Sequence, residues 1–303
     1  MGQRSHIEFY LNGVLTKVSG DEAFTQLSTY LRKTVFLCGT KVVCAEGDCG
    51  ACSVLVAWPF RPNPSKFKSP FRVINACIAP IYSLDGSSVV TVEGLKNQDG
   101  KLSSVQKSFV DNFASQCGYC TPGFVCASTY LCEQYANKPV TTQKIKNVLT
   151  GNLCRCTGYE TIIEAVEKAI PQYEHNLAKR YLTPMFLKHL KSLSRDSIHI
   201  ATESGKILFL PKSEKEVTQI LKKNKDLRIS SSNTDLGVIH NKEKIDLYKV
   251  LSLANVESLY KIKITPKHVT VGSRVDLETL RRMLESRLGP ISEFLNIFAS
   301  PPI

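Results

Sequence analysis

Eight of the eleven cysteines in this chain of 303 residues fall into two groups with the spacing of metal ligands. Cys44, Cys49 and Cys52 stand in the run CAEGDCGAC, and Cys77 follows at a distance. This is the Cx4Cx2C pattern with a remote fourth cysteine that holds a plant-type 2Fe-2S cluster. Cys117 and Cys120 form a CxxC, and Cys154 and Cys156 a remote CxC, making a second four-thiolate set. Each iron of a 2Fe-2S rhombus takes two thiolates, so four sulfurs have to converge on one small object. The tight loop 44–52 requires Gly47 and Gly50, which let backbone N–H groups point at sulfur and stabilise an added electron. Zinc is the competing occupant, because it also takes four cysteines through CxxC knuckles, and it suits the second set better than the first. Two one-electron carriers on one chain point to an electron conduit.

All eleven cysteines precede residue 157, and in a protein of this size they argue for metal ligation in a reducing compartment rather than for disulfides. Cys38, Cys126 and Cys132 lack ligand spacing and are expected to be small buried hydrophobes. No apolar run approaches a membrane span, and the opening MGQRSHIEFY runs into a strand pattern without the apolar core of a secretory signal. Position 6, where a myristoylation pattern needs Ser or Thr, is His6. A cytoplasmic protein with no membrane contact is expected. The formal charge of +12 divides into +4 over residues 1–170 and +8 beyond. Each oxidised cluster with its thiolates carries about two negative charges, so two clusters would cancel the first part. The remainder is scattered, as at Lys222, Lys223 and Lys225, and reads as a solvated face or as a surface for an acidic partner. No nucleic-acid motif is present, and no nucleic-acid partner is expected.

The elements that must position the sulfurs are legible in the pattern. The run HIEFYLNGVLTKVS alternates apolar and polar residues around Asn12-Gly13, a dipeptide suited to a type I′ hairpin turn. A helix over 22–31, the cysteine loop, and strands over 52–58 and 89–92 complete a β-grasp ferredoxin domain, with the proline-bearing loop 59–70 as a surface excursion. From Ser103 the period becomes helical, with Val105, Phe109 and Phe113 four apart. Thr121-Pro122 opens a second helix, Thr141 a third that ends at Gly151, and Ile162, Ile163, Val166 and Ile170 mark a fourth. One cysteine pair lies between the first two helices and the other between the last two, so a four-helix bundle brings both to one end. After a polar connector, 207–210 reads as a strand. Ser213 with Glu216 forms a capping box before Val217, Ile220 and Leu221. Val269 and Val271 mark another strand, and Asp276 caps the helix of Leu280, Met283 and Leu284.

CAEGDCGAC, the INAC around Cys77, VTVEGL ending at Leu95, QCGYCTPGF at 116–124 and GNLCRCTGY at 151–159 together resemble the iron-sulfur portion of the molybdenum hydroxylases, the xanthine dehydrogenase and aldehyde oxidase family. LFLPKS at 208–213, TDLGV at 234–238 and the final FASPPI resemble the start of that family's FAD domain, in the order found in bacterial small subunits. The resemblance implies an α+β multidomain chain: a plant-type 2Fe-2S ferredoxin domain over 1–88, an all-helical 2Fe-2S-binding domain over 89–170, a linker over 171–197, and over 198–303 the N-terminal part of an FAD-binding domain of the PCMH type, truncated within it. It implies that electrons leave a molybdopterin centre on a large partner subunit, pass the helical-domain cluster, then the ferredoxin-domain cluster, and reach FAD here or on a separate flavin-bearing chain. Cys117, Cys120, Cys154 and Cys156 would then hold the cluster nearer molybdenum, with Gln116 and Cys156 approaching the pterin.

The family's first flavin loop reads roughly AGGTDL, whereas Ser231, Ser232, Asn233, Thr234, Asp235 and Leu236 stand here. Two Cβ atoms are expected at the approach to the pyrophosphate, leaving either a weak FAD site or a packed vestige. The expectation is an electron-transfer subunit with no catalytic residue of its own for hydroxylation. The alternative is a truncated, non-catalytic 2Fe-2S redox-sensing or assembly module.

Overall fold

The Asn12-Gly13 turn forms with both residues at positive φ, 50° and 86°, and joins His6–Leu11 to Val14–Ser19 in an antiparallel pair. In this computed structural model, residues 2–62, 67–135, 138–174, 177–285, 289–298 and 300–302 are described. Parts of the expected excursion 59–70 (63–66), of the linker (175–176) and of FASPPI (Ala299 and Ile303) lie outside them. The hairpin belongs to a five-stranded sheet in the order Val14–Ser19, His6–Leu11, Ser88–Val90, Ser53–Ala57, Arg72–Asn75.

Ser53–Ala57 is buried along its whole length, which is why it reads SVLVA without polar alternation. Val54 and Val56 join Ile7, Phe9, Leu27 and Leu31 in one core, while Leu55 and Ala57 join Phe124, Tyr130 and Leu131 in another. The second core is the helical bundle: Ser104–Asp111, Thr121–Tyr135, Thr142–Leu149 and Glu160–Ala169. Ser103 and Gln106 form a reciprocal capping box, and Thr141 Oγ1 accepts from the N–H of Lys144.

Two expectations are corrected here. The helix over 22–31 is a short 3-10 turn, Gly20–Phe24, followed by Leu27–Lys33. Thr25 and Gln26 are extended because the Thr25 carbonyl accepts from Ile81 N–H at 2.9 Å and Gln26 bridges to Pro80. Phe113 is not on the buried face of the first bundle helix: the chain leaves that helix at Asn112, and Phe113 is 82% exposed at a φ of 51°.

The segment 177–193 holds two helices, Leu177–Tyr181 and Pro184–Leu193, packed on the first sheet; Phe186 stacks on Tyr10 with ring centroids 4.0 Å apart. A second five-stranded sheet follows in the order Gln3–Arg4, Ser197–Ala201, Ile207–Leu210, Lys249–Ser252, Arg228–Ser230. The first strand of the chain therefore pairs, in parallel, with residues 197–198. Ser213 Oγ caps Glu214–Lys223 through Glu216 N–H, but the Glu216 carboxylate accepts from Lys212 N–H rather than from Ser213, so the box is half formed. Val217, Ile220 and Leu221 are only half-buried. Asp276 caps Leu277–Leu284 through Thr279 N–H at 2.7 Å. Among the described residues no helix is long and apolar enough to cross a membrane.

Candidate metal centres

The loop between Cys44 and Cys52 is wrapped tightly, with Ala45, Gly47 and Gly50 all at positive φ. Backbone N–H groups of Glu46 and Cys49 each donate to Cys44 Sγ at 3.4 Å. Burial resists ionisation of Cys44, but these donors outweigh it and hold the thiol below its ordinary range. Cys49 meets Cys44, and Cys77 meets both Cys52 and Cys44. The contact with Cys52 lowers Cys77, while the same contact followed by burial raises Cys52. Cys52 and Cys77 are 2% and 3% exposed, so half of this quartet is sealed from water. Asn75, also buried, lies beside it: its Oδ1 is 3.9 Å from Cys52 Sγ, and its amide donates to Gly47 O.

The second quartet is open. Cys117 and Cys156 are exposed, and Cys120 and Cys154 half-buried. Cys117 meets Cys156 and Cys120 meets Cys154. The N–H of Tyr119 lowers Cys117. Burial opposes ionisation of Cys154, but the hydroxyl of Thr157, 3.2 Å from its sulfur, and the Thr157 N–H together lower it. Burial pushes Cys120 up to about 12. In both quartets the principal contacts are pairwise, and one thiol of each pair is eased toward the thiolate. Four thiols in two contacting pairs, one pair per iron, are what a binuclear cluster needs, so both sets fit 2Fe-2S in number and kind.

The two cysteine loops touch. Leu153 N–H, one residue before Cys154, donates to the carbonyl of Cys49 at 3.0 Å. The buried Asn152 amide donates to Gly50 O at 2.9 Å. A Cβ at Gly50 would lie 2.2 Å from Gly151 O, so only glycine permits this approach. Asn241, from the last segment, donates to Ala45 O and Cys77 O at 2.8 Å each.

Of the cysteines without ligand spacing, Cys126 and Cys132 are buried as expected, and burial raises both thiols. Cys38 is exposed, a correction: its carbonyl is held by Arg32 and by Lys41, which leaves the side chain outside. Gln116 is exposed beside Cys117. Sequence reasoning missed Asn75, Asn152, Thr157 and Asn241. A signal for two of them was available, because each quartet's remote segment has Asn two residues before a cysteine, Asn75-Ala76-Cys77 and Asn152-Leu153-Cys154.

Residues 91–167 match the family profile of a 2Fe-2S binding domain, and residues 201–303 that of the FAD binding domain in molybdopterin dehydrogenase. A xanthine dehydrogenase of Oryza sativa subsp. japonica is 43% identical over 156 residues, 52% of this chain and 11% of that protein. This chain belongs to the molybdenum hydroxylase family of xanthine dehydrogenases and aldehyde oxidases. Another member, a xanthine dehydrogenase of Drosophila pseudoobscura pseudoobscura, is 27% identical over 326 aligned positions, 95% of this chain and 24% of that protein. Among solved structures of the family, quinoline 2-oxidoreductase from Pseudomonas putida 86 is 31% identical, with a TM-score of 0.43, over 62% of this chain and 96% of that one. The chain thus spans between 11% and 24% of the two xanthine dehydrogenases.

Ser231–Leu236 is the segment that resembles the family's flavin loop. Asn233 adopts a φ of 69°, the conformation a glycine would take, but its side chain turns away from the loop's open side. It accepts from Tyr82 OH and Ser230 Oγ at 3.1 Å each, and donates to Ile78 O at 3.1 Å. The Asn233 side chain thus staples the loop to the first sheet's domain. The loop lines a cavity of about 430 Å³.

Proposed function

We propose that this chain is the electron-transfer subunit of a molybdenum hydroxylase resembling xanthine dehydrogenase. It would relay electrons from a molybdopterin centre on a large partner subunit through the two clusters toward FAD, in a reducing cytoplasm. Each 2Fe-2S cluster supplies a one-electron carrier, held by Cys44, Cys49, Cys52 and Cys77 at one site and by Cys117, Cys120, Cys154 and Cys156 at the other. The hydrogen bond from Leu153 N–H to Cys49 O carries the reading, because it joins the two ligand loops directly and without intervening side chains. Exposed apolar side chains adjoin the open quartet's ligands along the chain, Tyr119 between Cys117 and Cys120 and Leu153 next to Cys154. They support the second site as the face where the partner docks and electrons enter, with Gln116 beside it.

The function is tested by anaerobic reconstitution followed by electron paramagnetic resonance, and by co-expression with a molybdenum-bearing large subunit. Two distinct cluster signals are expected, and Cys156→Ala should abolish electron flow while leaving the first signal intact. A cluster-loaded chain that never binds such a subunit would point instead to the sensing or assembly module.

A further inference from the structure

The loop that carries Cys154 and Cys156 ends in a residue whose backbone conformation its type avoids. Tyr159 precedes the helix Glu160–Ala169 at a φ of 72° and a ψ of −25°, in the left-handed region, and its side chain makes no cap to that helix. A bulky side chain at positive φ is a steric outlier that persists only where its surroundings hold it. Two contacts hold this one. The phenol oxygen accepts from the N–H of Cys154 at 3.0 Å, and the ring meets that of the buried Phe124 edge-on, with centroids 6.3 Å apart and planes at 64°. The N–H of Tyr159 donates in turn to Thr157 Oγ1 at 3.2 Å, the hydroxyl that lies 3.2 Å from Cys154 Sγ. Tyr159 therefore grips Cys154 twice, at its amide directly and at its sulfur through Thr157.

Backbone amides elsewhere in the two quartets are aimed at sulfur. Those of Glu46 and Cys49 donate to Cys44 Sγ, that of Tyr119 to Cys117 and that of Thr157 to Cys154. The amide of Cys154 itself is turned to the phenol instead. Hydrogen bonds to the sulfurs stabilise the added electron, and together with solvent exposure they set a cluster's reduction potential. A phenol that engages the amide of a ligand residue keeps one such dipole away from the sulfurs and closes one place where water could stand. Both effects disfavour the reduced state.

We propose that Tyr159 is a positioning residue for the electron relay: its hydroxyl holds the Cys154 amide off the sulfurs and so keeps the potential of the second cluster lower than the loop alone would give. The inference rests on the proposed function, because the second quartet must hold a 2Fe-2S cluster, and adds to it the group that poises that cluster. The left-handed backbone at residue 159 belongs to the same device, since a glycine there would relieve the strain and lose the phenol.

The test is a redox titration of the cluster-loaded full chain followed by electron paramagnetic resonance, comparing the unaltered chain with Tyr159→Phe and Tyr159→Gly. Tyr159→Phe keeps the ring against Phe124 and loses only the hydroxyl; Tyr159→Gly loses the ring as well but suits the backbone. In Tyr159→Phe the second cluster is expected to reduce more readily, by up to about tenfold in its reduction equilibrium, or ~59 mV for one electron, while the first does not move. Tyr159→Gly should shift the same cluster in the same direction. Electron–nuclear double resonance before and after transfer to deuterated buffer should show added exchangeable-proton coupling at the second cluster of Tyr159→Phe. An unchanged or lowered potential in Tyr159→Phe, a shift confined to Tyr159→Gly, an equal shift of both clusters, or failure of both variants to load the second cluster would each overturn the proposal. Failure of the proposed function looks different: the unaltered chain would then lack the second signal, and both readings would fall together.

Discussion

The two cysteine quartets have the same chemistry and opposite surroundings. The first is closed by the sheet, by Asn75 and by Asn241 from the far end of the chain, and two of its sulfurs are almost inaccessible. The second, carried by the loops of the helical bundle, has Cys117 and Cys156 exposed, with exposed Tyr119 and Leu153 next to its ligands in the chain. Reduction potential and reactivity of such sites depend on hydrogen bonds to sulfur and on solvent access. A sealed site keeps its cluster and holds a fixed potential, whereas an open one is completed by whatever docks on it. Under the proposed function the open quartet faces the partner and the sealed one the chain's interior.

The joint between the quartets is where the comparison breaks most easily. Gly50→Val combines a φ of 65° with a Cβ 2.2 Å from Gly151 O, so the two loops have to separate. The sealed cluster is expected to fail to assemble, and iron per chain to fall by about half. Gly100→Ala is the control, since that residue has a φ of 81° and open space around it. It should cost only ~1–3 kcal/mol of backbone strain and leave both signals in place. Equal iron loss in both variants would show that strain, not the joint, governs assembly.

Differential lability sharpens the same contrast. On exposure of the isolated chain to a chelator in air, the cluster of Cys117, Cys120, Cys154 and Cys156 should bleach first, at least several-fold faster than the other. Docking of the large subunit should close that gap. Simultaneous loss would remove the distinction between sealed and open sites.

Much of this arrangement was legible because its causes are local. Asn12-Gly13 fixes its turn through backbone preference alone, and the side chains of Thr141 and Asp276 cap their helices by accepting from backbone N–H groups three residues on. The cysteine spacings are also local, which is why the quartets could be read before any fold was known. What escaped depends on contacts distant in sequence. The helix near Leu27 starts late because Thr25 and Gln26 bond to residues 80 and 81, and Gln3–Arg4 pairs with a strand almost two hundred positions on. Asn233 could be seen to replace a glycine, but its brace to Tyr82 and Ile78 was invisible without the fold.

Asn152 offers a smaller test of the joint. Its amide donates to Gly50 O and lies 3.4 Å from Ser53 Oγ, so Asn152→Ala removes buried hydrogen bonding without moving a ligand. Gly50 O still accepts from Ser53, so the expected loss is ~1–2 kcal/mol, read by chemical denaturation of the loaded chain. Both clusters should still assemble, and magnetic interaction between them should weaken as the loops loosen.

The finest distinction concerns one hydroxyl. Thr157 Oγ1 is 3.2 Å from Cys154 Sγ and, as a donor, stabilises the more negative reduced state of the open site. Thr157→Val keeps the volume and branching but removes that donor. The midpoint potential of the second cluster should fall by up to ~60 mV, about one tenfold factor for a single electron, while the first should not move. Because Thr157 also accepts from Tyr159 N–H, the helix that begins at Glu160 supplies a control: unchanged helical signal with a shifted potential isolates the sulfur contact. An unchanged potential in Thr157→Val would mean that solvent around the open quartet already provides what the hydroxyl does, and that exposure alone separates the two sites.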